Sequence, residues 1–155
     1  MEQLTDVIQM CGSIRMVLGD PDGKLIKEMM FENLLVTVGR SWVLGQLESV
    51  NIVTSQTISY LAIGSSTVAP TTADTGLNLE VTRISIGTFL TTPLTSNPPS
   101  WQAQVSFATN QANTTLAEVG LFNSSAGGTM LAHATYASFV KATSNTLNIT
   151  YTISG

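Results

Sequence analysis

Two runs of strict two-residue alternation constrain this chain more than any other feature. Trp101, Ala103, Val105 and Phe107 alternate with Gln102, Gln104, Ser106 and Ala108. Further on, Leu147, Ile149, Tyr151 and Ile153 alternate with Asn148, Thr150, Thr152 and Ser154. Successive side chains of a strand point to opposite faces, so each run is a strand with one dry face and one wet face. That is the signature of antiparallel sheets, because strands of a parallel sheet are covered on both sides and read as continuous apolar runs.

The rest of the chain fits the same plan. Ile58 to Ile63 reads as a largely buried strand ending at Gly64, and a long neutral loop follows from Ser65 to Asn78. Glu80 to Leu90, Thr115 to Phe122 and Thr129 to Val140 read as further strands. Pro93, Pro98 and Pro99 exclude a central strand between residues 91 and 100, since proline cannot donate to the ladder. Near the start, Ser13 to Leu18 and Lys24 to Phe31 flank Asp20-Pro21-Asp22-Gly23, a turn signal that predicts a hairpin over 13–31. The calcium-loop reading of that turn fails, because the other ligands are missing.

Asn33 is a candidate N-cap for a helix over 34–48, whose apolar face would carry Val38, Trp42, Val43 and Leu47. Gly39 and Gly45 are small enough to let that helix lie close against a sheet. Residues 1–12 are read either as an N-terminal arm, with Leu4, Val7, Ile8 and Met10 as its contacts to a neighbouring subunit, or as a flexible terminus. The expected architecture is a single domain over 1–155: mainly β, an antiparallel β-sandwich, jelly-roll-like, with an N-terminal β-hairpin and one short helix. About eight strands are expected, those of the sandwich falling within 57–153.

Charge is scarce and uneven. Only 10% of the 155 residues are charged, against about 25% in ordinary domains, while Ser and Thr number 38. Eleven of the sixteen charged residues lie in 1–48, and the other five are Asp74, Glu80, Arg83, Glu118 and Lys141. Three lysines and three arginines at a net charge of −4 give no electrostatic footprint for nucleic acid. No apolar run is long enough to span a membrane, and the acidic first residues do not read as a secretory leader. Cys11 stands alone, which excludes an internal disulfide and a multi-cysteine zinc site. No cofactor or metal is expected.

Catalysis has little to work with. His133 is the one histidine, and is expected as a solvated or hydrogen-bonded strand residue rather than a catalyst. Asp74, Glu80 and Glu118 have no spacing that suggests a carboxylate pair for glycoside cleavage. Glu80 is expected beside Arg83 at a strand entrance, and Glu118 is expected to satisfy backbone or turn donors. A glycan site would need exposed aromatic platforms. Trp42, Trp101, Phe107, Phe122 and Tyr151 fall on core positions, which leaves Tyr60, Tyr136 and Phe139 as candidates for exposure. The Asn-x-Ser/Thr sequences at Asn113, Asn123 and Asn148 are read as chance in a Thr-rich chain.

Sheet edges in monomers are usually blunted by Lys, Pro or bulges, yet the strands beyond residue 50 contain a single lysine, Lys141. Interface cores are likewise depleted in charge, so much of this surface is expected to be covered by other subunits.

Several segments in order resemble a known family. They are Asn33-Leu-Leu-Val-Thr-Val-Gly39-Arg40, Tyr60-Leu-Ala-Ile-Gly64, Ala69-Pro-Thr-Thr-Ala-Asp74 leading to Leu79-Glu80-Val-Thr-Arg83, Glu118-Val-Gly120-Leu-Phe122, and Lys141 before the closing strand Leu147 to Ile153. Over about residues 33–153 the set resembles small tailed-bacteriophage virion proteins, including the N-terminal attachment domain of tail-collar fibres. The resemblance implies a non-enzymatic structural role, with Asn33, Gly39, Arg40, Gly64, Glu80, Arg83, Glu118, Gly120 and Lys141 as structural positions and no catalytic residue. A fibre would continue into a stalk, whereas this sequence stops at Gly155. The expectation is therefore a capsid decoration (cement) protein, a homotrimer bound to the major capsid protein in the virion after assembly in the host cytoplasm. A small baseplate or tail component is the alternative; a glycan-binding module and an enzyme are the remaining classes.

Overall fold

The computed structural model describes residues 10–48, 57–91 and 100–155. In chain order its elements are β1 (Cys11–Gly19), β2 (Leu25–Glu32), β3 (Leu34–Leu35), α1 (Thr37–Glu48), β4 (Tyr60–Gly64), β5 (Glu80–Ser85), β6 (Thr88–Thr91), β7 (Ser100–Phe107), β8 (Thr115–Phe122), β9 (Met130–Val140) and β10 (Thr146–Ser154). Two five-stranded sheets result, with strand orders β2-β1-β10-β7-β6 and β3-β9-β8-β4-β5. All pairings are antiparallel. This is the sandwich expected from the alternation, with ten strands among the described residues.

The two alternating runs are neighbours. β10 lies between β1 and β7, with Ile149 opposite Val105 and Tyr151 opposite Ala103. Their dry faces supply Val105, Phe107, Leu147, Ile149 and Tyr151 to a core that meets Leu61, Ile63, Leu116, Val119 and Leu121 from the other sheet. The wet faces are uncharged: Gln104 pairs with Thr150 and Thr88, and Gln102 pairs with Thr152 and Leu90.

The β1–β2 hairpin closes through its acidic turn, where Asp20 Oδ1 accepts from the amides of Asp22 at 3.0 Å and Lys24 at 2.7 Å. Gly23 sits at φ 80°, a conformation that glycine adopts without the Cβ penalty.

Four expectations are corrected. Asn33 does not cap a helix. Leu34 and Leu35 pair with His133 and Ala132 of β9 as a short strand, because burying Leu35 and Val36 against the sheet outweighs starting the helix there. The first helical bond runs from Arg40 N–H to the Val36 carbonyl, and the free Thr37 N–H donates to the Thr72 carbonyl at 2.8 Å. Asn33 instead donates from Nδ2 to the Tyr151 hydroxyl at 2.7 Å, joining the hairpin to the core.

The segment Glu80 to Leu90 is two strands rather than one. β5 edges the second sheet and β6 edges the first, and the chain crosses between them at buried Ile86 and exposed Gly87. Of the expected arm, Cys11 and Gly12 belong to β1, Met10 is half-buried against the core, and Leu4, Val7 and Ile8 lie outside the described residues. Finally, Phe139 is buried, Tyr60 and Tyr136 are half-buried, and Trp42 and Trp101 are only half-buried where full burial was expected.

α1 lies against β9, and Gly39 is the reason it can. A Cβ at Gly39 would fall on the backbone of Leu131. At Gly45 nothing among the described residues lies within 4 Å, so among these it is Gly39 and not Gly45 that serves close packing.

Candidate functional site

The face of the second sheet turned away from the core is roofed by α1 and the loop over 65–79. Beneath this roof a small second cluster forms from Val36, Ala62, Phe122 and Met130, with Tyr60 and Leu77 against it. Asp74, Glu118 and His133 of the later chain meet here, with the Glu80–Arg83 pair beside them against Phe122.

His133 on β9 and Glu118 on β8 are both fully buried. The ring bridges two carboxylates, with Nδ1 2.7 Å from Asp74 Oδ2 and Nε2 3.2 Å from Glu118 Oε2. Each contact needs a proton between nitrogen and oxygen, so the cluster holds two: both on the ring, or one on the ring and one on a carboxyl. Burial pushes the Asp74 pKa up, but the Thr71 hydroxyl and amide, and then His133, more than offset it. The net effect holds Asp74 below its ordinary value. Both ring nitrogens are engaged and the ring is shut from solvent, which leaves His133 no nitrogen with which to meet a substrate.

Glu118 does what was expected of it. Its carboxylate accepts from the amides of Ser66 at 3.3 Å, Asn78 at 3.0 Å and Leu79 at 2.7 Å, so one buried side chain holds both ends of the loop. Gly64 leaves room for this, since a Cβ there would strike the Glu118 side chain and the Leu79 carbonyl. Gly120 likewise faces Leu77 of the loop. Tyr136 donates to the Glu118 carbonyl, and burial, with Glu118 nearby, pushes its hydroxyl pKa well up.

Arg83 and Glu80 form the predicted neighbouring pair, joined by two bonds of 3.0 and 2.7 Å. Arg83 also donates to the carbonyls of Ser124 and Gly127 and stacks 3.6 Å above the Phe122 ring, pinning the 123–128 turn to the edge strand β5. Lys141 is buried at the other end of the sandwich, where Nζ donates to Ala108 O at 2.8 Å and Asn113 Oδ1 at 2.9 Å. Burial pushes its pKa down.

The structure therefore brings Gly64, Glu118 and Gly120 together under one loop, while Asn33, Lys141 and the exposed Arg40 stand elsewhere. The Asp74–His133 contact was not read from the sequence, because its partners are 59 residues apart and meet only once β9 is in place. The available signal was scarcity: the chain's one histidine, with only three acids beyond residue 50.

Concave surfaces lie elsewhere on the described residues. An apolar groove of about 460 Å³ lies among Met10, Trp42, Val43, Ile58, Phe89 and Trp101, and the buried indole N–H of Trp42 has no partner among the described residues. A polar groove of about 470 Å³ runs along the wet face by Thr88, Gln104, Ser106, Asn148 and Thr150. Among the described residues no group of three or more His, Cys, Asp and Glu is placed to hold a metal ion, and no helix is long and apolar enough to cross a membrane. No family model, curated protein or solved structure matches the chain.

Proposed function

We propose that this chain is a non-enzymatic structural protein of a bacteriophage particle: a capsid decoration (cement) protein that self-associates as a homotrimer and binds the major capsid protein on the outer head shell. One observation carries the reading. All five charged side chains beyond residue 48 are used inside the molecule, in the Asp74–His133–Glu118 cluster, the Glu80–Arg83 pair and the buried Lys141.

The wet face of β10, β7 and β6 is consequently neutral. Solvated charge of one sign keeps soluble proteins apart, and its absence over this face favours association. Among the described residues β6 is an unpaired sheet edge, with Phe89 45% and Leu90 48% exposed and no charge of its own, where a monomer would carry a blunting residue. The resemblance of the ordered motifs to phage virion proteins points the same way.

Imaging of the native particle tests the proposal. Density or label for this chain spread over the head supports decoration. Label confined to the tail tip overturns decoration in favour of the baseplate or tail alternative, and absence from purified particles overturns the class.

A further inference from the structure

His133 stands between a carboxylate that can reach water and one that cannot. Asp74 belongs to the connection from β4 to β5, residues 65–79, and its side chain is 19% exposed, whereas Glu118 on β8 is fully buried. All four of their oxygens accept from donors other than the ring. Asp74 Oδ1 accepts from the Thr71 hydroxyl and Oδ2 from the Thr71 amide, while Glu118 Oε1 accepts from the Ser66 and Leu79 amides and Oε2 from the Asn78 amide. Hydrogen bonds to the ionised form favour it, so both carboxyls are ionised and the two protons of the cluster sit on the ring. An imidazolium therefore holds the middle of the loop. Glu118 and the bond from Ser65 N–H to the Leu79 carbonyl hold its base.

We propose that Asp74, His133 and Glu118 form a proton-dependent latch: the doubly protonated ring ties the middle of the 65–79 loop to β9, and loss of one ring proton at alkaline pH releases that middle while the base stays closed. A neutral ring has one N–H for two carboxylates, so its other nitrogen turns a lone pair toward a carboxylate oxygen. The N–H stays with Glu118, which has no route to water, and the lone pair faces Asp74, which has one. Repulsion across the 2.7 Å contact then lifts the Thr71–Asp74 turn. The Thr72 carbonyl, which accepts from the Thr37 N–H at the start of α1, goes with it. Glu118 keeps the Ser66, Asn78 and Leu79 amides.

The other ionisable groups around the cluster are few. Tyr136 on β9 donates to the Glu118 carbonyl, and its hydroxyl is pushed well up by burial. Arg83 and Glu80 on β5 are paired with each other, Tyr60 of β4 packs in the neighbouring apolar cluster, Arg40 of α1 is exposed, and β3 brings none. In the unfolded chain the imidazole gives up its second proton above about pH 6.5. The folded cluster keeps it, so the latch contributes stability that is fully present below that value and is lost as pH rises through the release. This inference does not depend on the virion reading.

NMR of the full chain carrying isotope-labelled histidine reads the ring directly, because His133 is the one histidine. Wild type is expected to show two ring N–H groups at about pH 7.5 and one as the pH is raised toward about 9. Over the same range the Thr37 amide loses protection from exchange, measured against the free-peptide rate at each pH, while the Ser65, Asn78 and Leu79 amides keep theirs. In Asp74→Asn the carboxamide N–H can meet the bare nitrogen, so the ring is expected to carry one proton at about pH 7.5 and Thr37 protection to be independent of pH. In urea the wild-type unfolding constant is expected to rise about tenfold per pH unit above about pH 6.5, and that of Asp74→Asn to stay level.

A single ring N–H in wild type at about pH 7.5 overturns the proton count and the latch with it. Two ring N–H groups kept to about pH 9, or a Thr37 amide released equally in Asp74→Asn, overturns the release. Protection lost together at Thr37, Ser65, Asn78 and Leu79 shows the whole loop leaving and overturns the division between its middle and its base. The ring and Thr37 readouts on wild type decide the proposal even where Asp74→Asn does not fold.

Discussion

Gly39 and Gly45 occupy the same helix and answer an added methyl group in opposite ways. At Gly39 the Cβ meets the backbone of Leu131, which cannot move without shifting β9, so Gly39→Ala costs about 1–3 kcal/mol through overpacking. At Gly45 no described residue lies within 4 Å, and Gly45→Ala gains about 0.5–1 kcal/mol by restricting the unfolded chain and favouring helix. Urea unfolding of the two variants reads this directly: the midpoint falls for the first and rises for the second. Asp74 gives a pH signature at the same scale. Its pKa is held below the unfolded value of 3.8, so its contribution is fully present above that value and is lost as pH falls through the lower folded value. Wild type is therefore expected to lose stability on acidification below pH 3.8 more steeply than Asp74→Asn, measured by urea midpoints over a pH series. Parallel curves would show that the Thr71 and His133 contacts do not favour the ionised form.

At the scale of elements, the informative cases are those where local pattern and tertiary demand differ. β7 and β10 were legible because each has one dry face and one wet face, and period two is a local property that burial amplifies. Leu34-Leu35-Val36 suits a strand or a helix equally, and what decides is long-range: β9 offers pairing partners at His133 and Ala132, and Leu131 accepts from Val36 N–H at 3.3 Å. Glu80 to Leu90 is continuous in composition, yet Ile86-Gly87 lets the chain leave one sheet and join the other. No periodicity shows such a change of sheet. The Glu80–Arg83 pair was legible for the converse reason, being three residues apart on one strand. β6 yields the prediction at this scale. Leu90 faces the wet side, opposite Gln102, on an edge strand with no charge. Leu90→Lys leaves the core untouched and supplies the blunting charge the edge lacks, so under the proposed self-association the melting temperature stays put while sedimentation shifts toward the monomer. An unchanged assembly mass would show that copies do not meet along β6.

For the whole molecule, the decisive feature is how far apart in sequence the central partners lie. β1 pairs with β10 from Cys11 opposite Ser154 to Gly19 opposite Thr146, so the middle of the first sheet exists only after nearly the entire described chain has been gathered. The second sheet is less remote, since β8 and β9 are a hairpin, but β3 reaches β9 across about a hundred residues. Loop-closure entropy must be overcome before such pairings return any burial, and sandwiches dominated by them fold in roughly milliseconds to seconds. The same topology makes β10 indispensable, because it brings Leu147, Ile149 and Tyr151 into the core and lies between two other strands. Ile149→Val, which removes one methylene from a site 1% exposed, is expected to cost about 0.5–1.5 kcal/mol. If the β1–β10–β7 ladder is already assembled at the barrier, most of that cost appears as slower refolding rather than faster unfolding. Stopped-flow refolding followed by tryptophan fluorescence distinguishes the cases: a slowed folding limb places the long-range ladder in the transition state. A change confined to the unfolding limb places the β8–β9 hairpin and its neighbour β4 first, with the other sheet closing over them afterwards.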